Sequence, residues 1–143
     1  MRSDLRLLIA AALCALALAS PARAERPANE RYNLSPGEFS VMTYNLYRFS
    51  YEDRDHDGQK NNFKPEEQIR AVVEVIKNAS PDVLAVEEIG DADSFQILRD
   101  RLSAAGLSYP HTEFLMRPEA TVGLAVLSRF PIVGRTSRSK NCF

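Results

Sequence analysis

The spacing of hydrophobic and polar residues changes several times along the chain, and each change marks an element. β-Branched or aromatic residues at Phe39, Val41 and Thr43 alternate with Ser40, Met42 and Tyr44, which predicts a strand running to about Leu46 with both faces partly covered. Residues 50–64 (SYEDRDHDGQKNNFK) lose this period, carry charge around a single Gly58 and read as a long loop. Pro65 then stands where a first helical residue belongs, and Glu66 and Glu67 follow at the positive end of the helix dipole. Ile69, Val72, Val73 and Ile76 repeat at i, i+3, i+4 and i+7, so a helix is expected over 65–78 with this stripe against a sheet. Ser80-Pro81 stops it. Val83, Leu84, Ala85 and Val86 then form a continuous apolar run, the pattern of a strand covered on both faces. A second helix fits 93–105, with Phe95, Leu98 and Leu102 on one side and Gly106 as a left-handed stop. Extended segments follow at 109–116 and 121–127, and Phe130-Pro131-Ile132 opens a last one. Strand, helix and strand in that order imply an α/β layer.

The first residues do not belong to this pattern. Arg2 and Arg6 give a basic start, residues 7–19 are unbroken apolar sequence, and Ala22-Arg23-Ala24 places small residues where a signal peptidase reads. We read 1–24 as a secretory signal peptide cleaved near Ala24, and 25–37, with Pro27, Pro36 and Gly37, as a leader into the first strand. The apolar run is shorter than the about 20 residues a bilayer needs, so no stable membrane anchor is expected. Leu13 precedes Cys14 where a lipidated cysteine would follow a small residue. Only Cys142 would remain after cleavage, and it has no partner for an internal bridge in a secreted or periplasmic setting.

Composition narrows the function classes. The chain is 45% hydrophobic and 26% charged, which excludes a disordered or collagen-like protein and fits one α/β domain. Its formal net charge is minus 1, and the proposed cleavage removes Arg2, Arg6 and Arg23 against Asp4 alone, leaving a more acidic product. No sequence-wide positive field exists to hold nucleic acid or anionic lipid, so an acidic partner must be gripped locally.

The local candidates stand at strand ends. The first strand closes on Thr43-Tyr44-Asn45-Leu46 and the second on Val86-Glu87-Glu88-Ile89. In open α/β sheets, ligands gather beyond the carboxyl ends of strands. Side-chain alternation would send Glu87 and Glu88 to opposite faces, so only one could share a site with Asn45, and the spacing does not say which. A carboxylate there suits a hard dication such as magnesium, and an Asn amide can hydrogen-bond phosphate without repelling it. The plainer reading makes Asn45 a turn cap and the glutamates solvated strand-end residues.

Three segments carry a family resemblance: Phe39-Ser40-Val41-Met42-Thr43-Tyr44-Asn45-Leu46, Pro81-Asp82-Val83-Leu84-Ala85-Val86-Glu87-Glu88-Ile89, and Gly123-Leu124-Ala125-Val126-Leu127-Ser128-Arg129-Phe130-Pro131-Ile132. In order and spacing they resemble successive signatures of the endonuclease/exonuclease/phosphatase superfamily, relatives of deoxyribonuclease I and exonuclease III. The resemblance implies a four-layer α/β sandwich that cleaves phosphate esters with a divalent metal, commonly Mg2+. Asn45 would be the active-site Asn that positions phosphate, and Glu88 the metal-binding Glu, with Glu87 where many members carry Gln. Substrates across the superfamily include nucleic acid, phospholipid head groups and small phosphate esters.

Complete members continue with an Asp-x-Asn block and a closing Asp-His pair. This chain has no Asp after Asp100; His56 follows Asp55 but ahead of the first predicted helix, and His111 follows Pro110. No catalytic histidine is transferred. The expectation is therefore the N-terminal half of the sandwich over 38–143, a mixed sheet with two packed helices, inactive alone. Its uncovered sheet face would favour self-association. The competing reading is a non-catalytic phosphate- or ion-binding module. Asp53, Asp55, Asp57 and Gly58 also reproduce the opening of a calcium loop, but its twelfth position is Lys64, so a solvated acidic loop is the better reading. Arg129, Arg135, Arg138 and Lys140 form an acid-free basic stretch that reads either as a phosphate-facing run or as soluble surface.

Overall fold

A computed structural model describes residues 37–136 of the chain. The proposed signal peptide, most of the leader, and Arg138, Lys140 and Cys142 lie outside the described residues. Strand β1 (Val41–Phe49) leads through the long loop to helix α1 (Glu66–Ala79), followed by β2 (Val83–Ile89), helix α2 (Ala92–Ala104), β3 (His111–Leu115) and β4 (Gly123–Ser128). They form one four-stranded sheet in the order β1-β2-β4-β3. β1 and β2 run parallel, while β4 is antiparallel to both β2 and β3. The sheet is mixed and carries two helices, as expected.

Burial alternates along the strands and assigns one face to the core. Leu46, Leu84, Val86, Ala125 and Leu127 pack with Ile69, Val72 and Ile76 of α1 and Phe95, Leu98 and Leu102 of α2. Val73 is only partly buried, so the working stripe of α1 is Ile69, Val72 and Ile76. The other face differs from the both-faces-covered pattern read from the β1 and β2 sequences, and is open as expected of half a sandwich. Val41 is 60% exposed and Leu124 52%, because no second layer covers this side among the described residues. Among those residues, no helix is long and apolar enough to cross a membrane.

Helix boundaries follow backbone hydrogen bonding. Pro65 is the residue before α1 rather than its first helical one, and its carbonyl accepts the amides of Gln68 and Ile69. α2 starts at Ala92 because Asp91 caps it, taking both the amide and hydroxyl of Ser94 at 2.9 and 2.8 Å. It ends as foreseen at Gly106. The Gly106 amide bonds to Ser103 and the Leu107 amide to Leu102, and buried Leu107 and Leu102 close the helix end with apolar surface.

The strand expected to open at Phe130-Pro131-Ile132 does not form. The Ser128 hydroxyl accepts the Phe130 amide and donates to the Phe130 carbonyl, which occupies the groups a ladder would use. Pro131 supplies no N–H. Phe130 instead meets the Phe39 ring edge to face, with centroids 6.1 Å apart. Arg129 turns back to the start of β2, where it donates to Ser80 Oγ at 2.8 Å and stands 3.6 Å from Asp82.

Candidate active site at the ends of two parallel strands

The β1/β2 pairing is regular from Val41↔Val83 to Asn45↔Glu87 and resumes only at Phe49↔Ile89. Three residues on β1 thus face one on β2. Across the next ladder, Glu87↔Leu124 is followed by Ile89↔Gly123, which leaves Glu88 as the extra residue of a bulge. The backbone absorbs the irregularity in left-handed conformations at Tyr47 (φ 50°), Arg48 (φ 53°) and Glu88 (φ 57°). Each such non-glycine residue costs roughly 1 to 3 kcal/mol and persists only where its surroundings hold it; such residues cluster at functional sites.

The bulge overturns the alternation argument. Register sets Glu87 beside Asn45, and strict alternation would turn Glu88 to the helix side. Instead the left-handed Glu88 meets Asn45: Asn45 Nδ2 donates to Glu88 Oε1 at 3.0 Å. Both acids therefore remain near the Asn45 end of the strands, and Glu87 is exposed there.

Each oxygen involved has a defined partner. The Tyr47 amide donates to Asn45 Oδ1 at 2.8 Å, which turns the Asn45 nitrogen toward Glu88. The Arg48 amide donates to Glu88 Oε2 at 3.1 Å. Glu88 thus accepts one N–H on each oxygen, and these bonds lie at the solvent-exposed end of the sheet. A carboxylate oxygen has two lone-pair directions, so both oxygens retain capacity for a hydrated hard cation. The donor set fits magnesium, which binds through one or two carboxylates and keeps most of its water.

The 50–64 loop contributes more than solvated charge. Buried Glu52 accepts from Ser50 Oγ at 2.7 Å and from the Arg48 guanidinium at 3.1 Å, with Lys60 at 4.0 Å. The Ser50 hydrogen bond chiefly lowers its pKa, against the opposing effect of burial, with Arg48 assisting. The Arg54 guanidinium reaches the carbonyls of Arg48 at 3.2 Å and Ser50 at 3.5 Å. Lys64 is buried, and its ammonium donates to the Tyr47 carbonyl at 2.9 Å. Desolvation, then repulsion from Arg54, lower its pKa, while the Glu88 charge opposes them. Sequence reasoning saw Lys64 only as a misfit in a calcium loop. The overlooked signal is Phe63, an aromatic residue in a polar loop. It packs against Phe49 and Tyr51, with ring centroids at 5.3 and 4.8 Å, and draws Lys64 inward.

Other candidates fall elsewhere. Asp53, Asp55 and Asp57 each offer an oxygen within 4.8 Å of the others. Loop donors already engage them: the Gly58 amide on Asp53, the Gln59 amide on Asp57 and Asn62 Nδ2 on Asp55. His56 is exposed in the same loop. His111 pairs with Ser128, which itself pairs with Val83, at the opposite end of the sheet from Glu88. Arg129 is held by Asp82 and Ser80 at that far end, and Arg135 pairs with Glu113.

Comparison with known proteins agrees with the strand-end motifs. The sequence profile of the Endonuclease/Exonuclease/phosphatase family matches residues 42–140. No curated protein matches the chain. One similar solved structure is that of ANGEL2, a 2',3'-cyclic phosphatase, in complex with adenosine-2',3'-vanadate. It is 25% identical, with a TM-score of 0.42, and the alignment covers 64% of this chain and 27% of that one. The family profile spans most of the chain and contains both members of the Asn45–Glu88 pair, and on that ground the chain belongs to the endonuclease/exonuclease/phosphatase family.

Proposed function

We propose that the chain serves a secreted, divalent-metal-dependent phosphoesterase, with Glu88 as the cation ligand and Asn45 as the amide that orients phosphate. The observation that carries this reading is the Asn45 Nδ2 to Glu88 Oε1 hydrogen bond, made across two strands at a bulge. Family membership supports phosphate-ester chemistry. Magnesium or another divalent cation, when bound, would neutralise charge on the phosphate. Asn45 and the Arg48 amide would hold the Glu88 carboxylate in place, and exposure of the strand ends leaves room for nucleic acid, a phospholipid head group or a small phosphate ester. Secretion rests on the basic and apolar pattern of residues 1–24.

Hydrolysis also requires a positioned water and groups that stabilise developing charge. The sequence holds no Asp-x-Asn block, and its Asp55-His56 pair lies in the loop ahead of α1 rather than where the family's closing pair stands, so cation binding is the decisive assay. Calorimetric titration with magnesium is expected to show weak binding that is lost in Glu88→Ala and kept in Glu87→Ala. Equal affinity in Glu88→Ala and the parent would defeat the assignment. Cation binding without turnover of bis-p-nitrophenyl phosphate would favour the binding-module reading for the chain alone.

A further inference from the structure

Lys64 poses a physical question that packing does not answer. It is 5% exposed, and among the described residues no carboxylate lies close enough to form a salt bridge with it. A buried ammonium without such a partner is unfavourable, and Met would fill the same space without a charge. What the ammonium does is hold one carbonyl, that of Tyr47, at 2.9 Å, while lying 5.6 Å from the centroid of the Tyr47 ring.

That carbonyl belongs to the same peptide unit as the Arg48 amide, which donates to Glu88 Oε2 at 3.1 Å. One planar group therefore links Lys64 to Glu88: ammonium to carbonyl oxygen on one side, N–H to carboxylate on the other. Drawing electron density toward the carbonyl oxygen strengthens the N–H as a donor, and successive hydrogen bonds reinforce one another. The peptide also joins two left-handed residues, Tyr47 and Arg48, a conformation that needs outside support. If the peptide flipped, a carbonyl oxygen would replace the N–H facing the carboxylate. Arg54 braces the following carbonyl, that of Arg48, from the same loop.

We propose that Lys64 is a positioning residue: its ammonium locks the Tyr47–Arg48 peptide so that the Arg48 amide holds Glu88 in the orientation that receives a cation. This rests on the reading of Glu88 as the cation ligand. It also predicts a sign. If Lys64 acted only as a nearby positive charge, removing it would tighten binding of a dication. If it positions Glu88, removing it weakens binding, as loss of an outer support for a metal ligand does by about 10- to 100-fold.

The test is titration of Mn2+ into the full chain, followed by calorimetry or the manganese spin signal, for the parent, Glu88→Ala, Lys64→Met and Lys64→Arg. The exchange rate of the Arg48 amide is read in parallel by NMR. At an unchanged thermal midpoint, Lys64→Met is expected to bind at least about tenfold more weakly and to exchange the Arg48 amide faster. Lys64→Arg, which keeps a cationic donor, is expected to recover most of the affinity. Unchanged or tighter binding in Lys64→Met overturns the proposal. If Glu88→Ala binds like the parent, the ligand assignment itself has failed, and the Lys64 link then stands or falls on the amide: unaltered exchange in Lys64→Met overturns it. Should Lys64→Met not fold, the parent decides, since an Arg48 amide exchanging at the rate of an unstructured peptide overturns the link and a protected one supports it.

Discussion

Substitutions along α1 should separate residues that the helical period alone treats as equals. Ile76 is fully buried against the sheet, whereas Val73 sits at the margin of the core. Ile76→Ala removes the carbons beyond Cβ, and at about 0.8 kcal/mol per buried carbon the transfer loss is about 2.4 kcal/mol. The cavity left in the core cluster raises the expected cost to about 3 to 4 kcal/mol. Val73→Ala removes less surface from a half-buried position and should cost about 1 kcal/mol. A domain of this size has roughly 5 to 10 kcal/mol of stability, so the first change consumes a large share and the second does not. Urea unfolding followed by circular dichroism reads the difference: at a slope of about 1 to 2 kcal/mol per molar, the Ile76→Ala midpoint falls by about 1.5 to 4 M. Equal midpoints for the two variants, or a lower one for Val73→Ala, would refute the packing of α1 described here.

Two further outcomes follow from single side chains. Asp91→Ala should destabilise by about 1 kcal/mol through loss of the α2 cap. The backbone and hydroxyl hydrogen bonds from Ser94 lower the Asp91 pKa, so its contribution is complete above the ordinary carboxylate range and lost as pH falls through the depressed value. Thermal midpoints of parent and Asp91→Ala should therefore converge in acid, and a gap that widened there would contradict the cap. Burial pushes the Tyr109 phenol up to about 12, with Arg129 opposing. Its hydrogen bond to the Pro81 carbonyl is stabilising below the ordinary tyrosine range and is lost as pH rises toward 12. Ultraviolet titration should show one tyrosine ionising late, and the late step should vanish in Tyr109→Phe.

Much of the fold was legible because burial on one face leaves a period in the residues. The stripe Ile69, Val72 and Ile76, the apolar run around Leu84 and the stop at Gly106 all record contacts that any helix or strand in those places would need. Ser80-Pro81 and Gly106 announced helix ends through their backbone preferences. The site was legible only as a pair of candidates. Asn45 and Glu88 stood at strand ends, but their contact depends on a bulge, and Tyr47, Arg48 and Glu88 carry no outward mark of the left-handed backbone they adopt. Periodicity assumes regular strands, and it failed at the place where the strand stops being regular. Lys64 escaped for a related reason, since a lysine in a polar loop looks solvated until the aromatic beside it is seen to be anchored. The missing strand at Phe130-Pro131-Ile132 turned on one hydroxyl, that of Ser128, competing with a ladder.

The left-handed backbone at Glu88 sets folding and chemistry against each other at one position. For the chain as a folding polymer, the favoured residue at φ 57° is Gly or Asn, which enter that region with little or no penalty. Retaining a glutamate there sacrifices stability for a carboxylate. Under the proposed role of Glu88, Glu88→Gly would remove the cation ligand while relieving the backbone, a loss of binding that need not unfold the protein. A lineage released from selection for this site would be free to drift toward Gly at position 88 without aggregation or degradation to expose the loss. On the proposed reading, the residue found there would report whether the strand-end site is still in use.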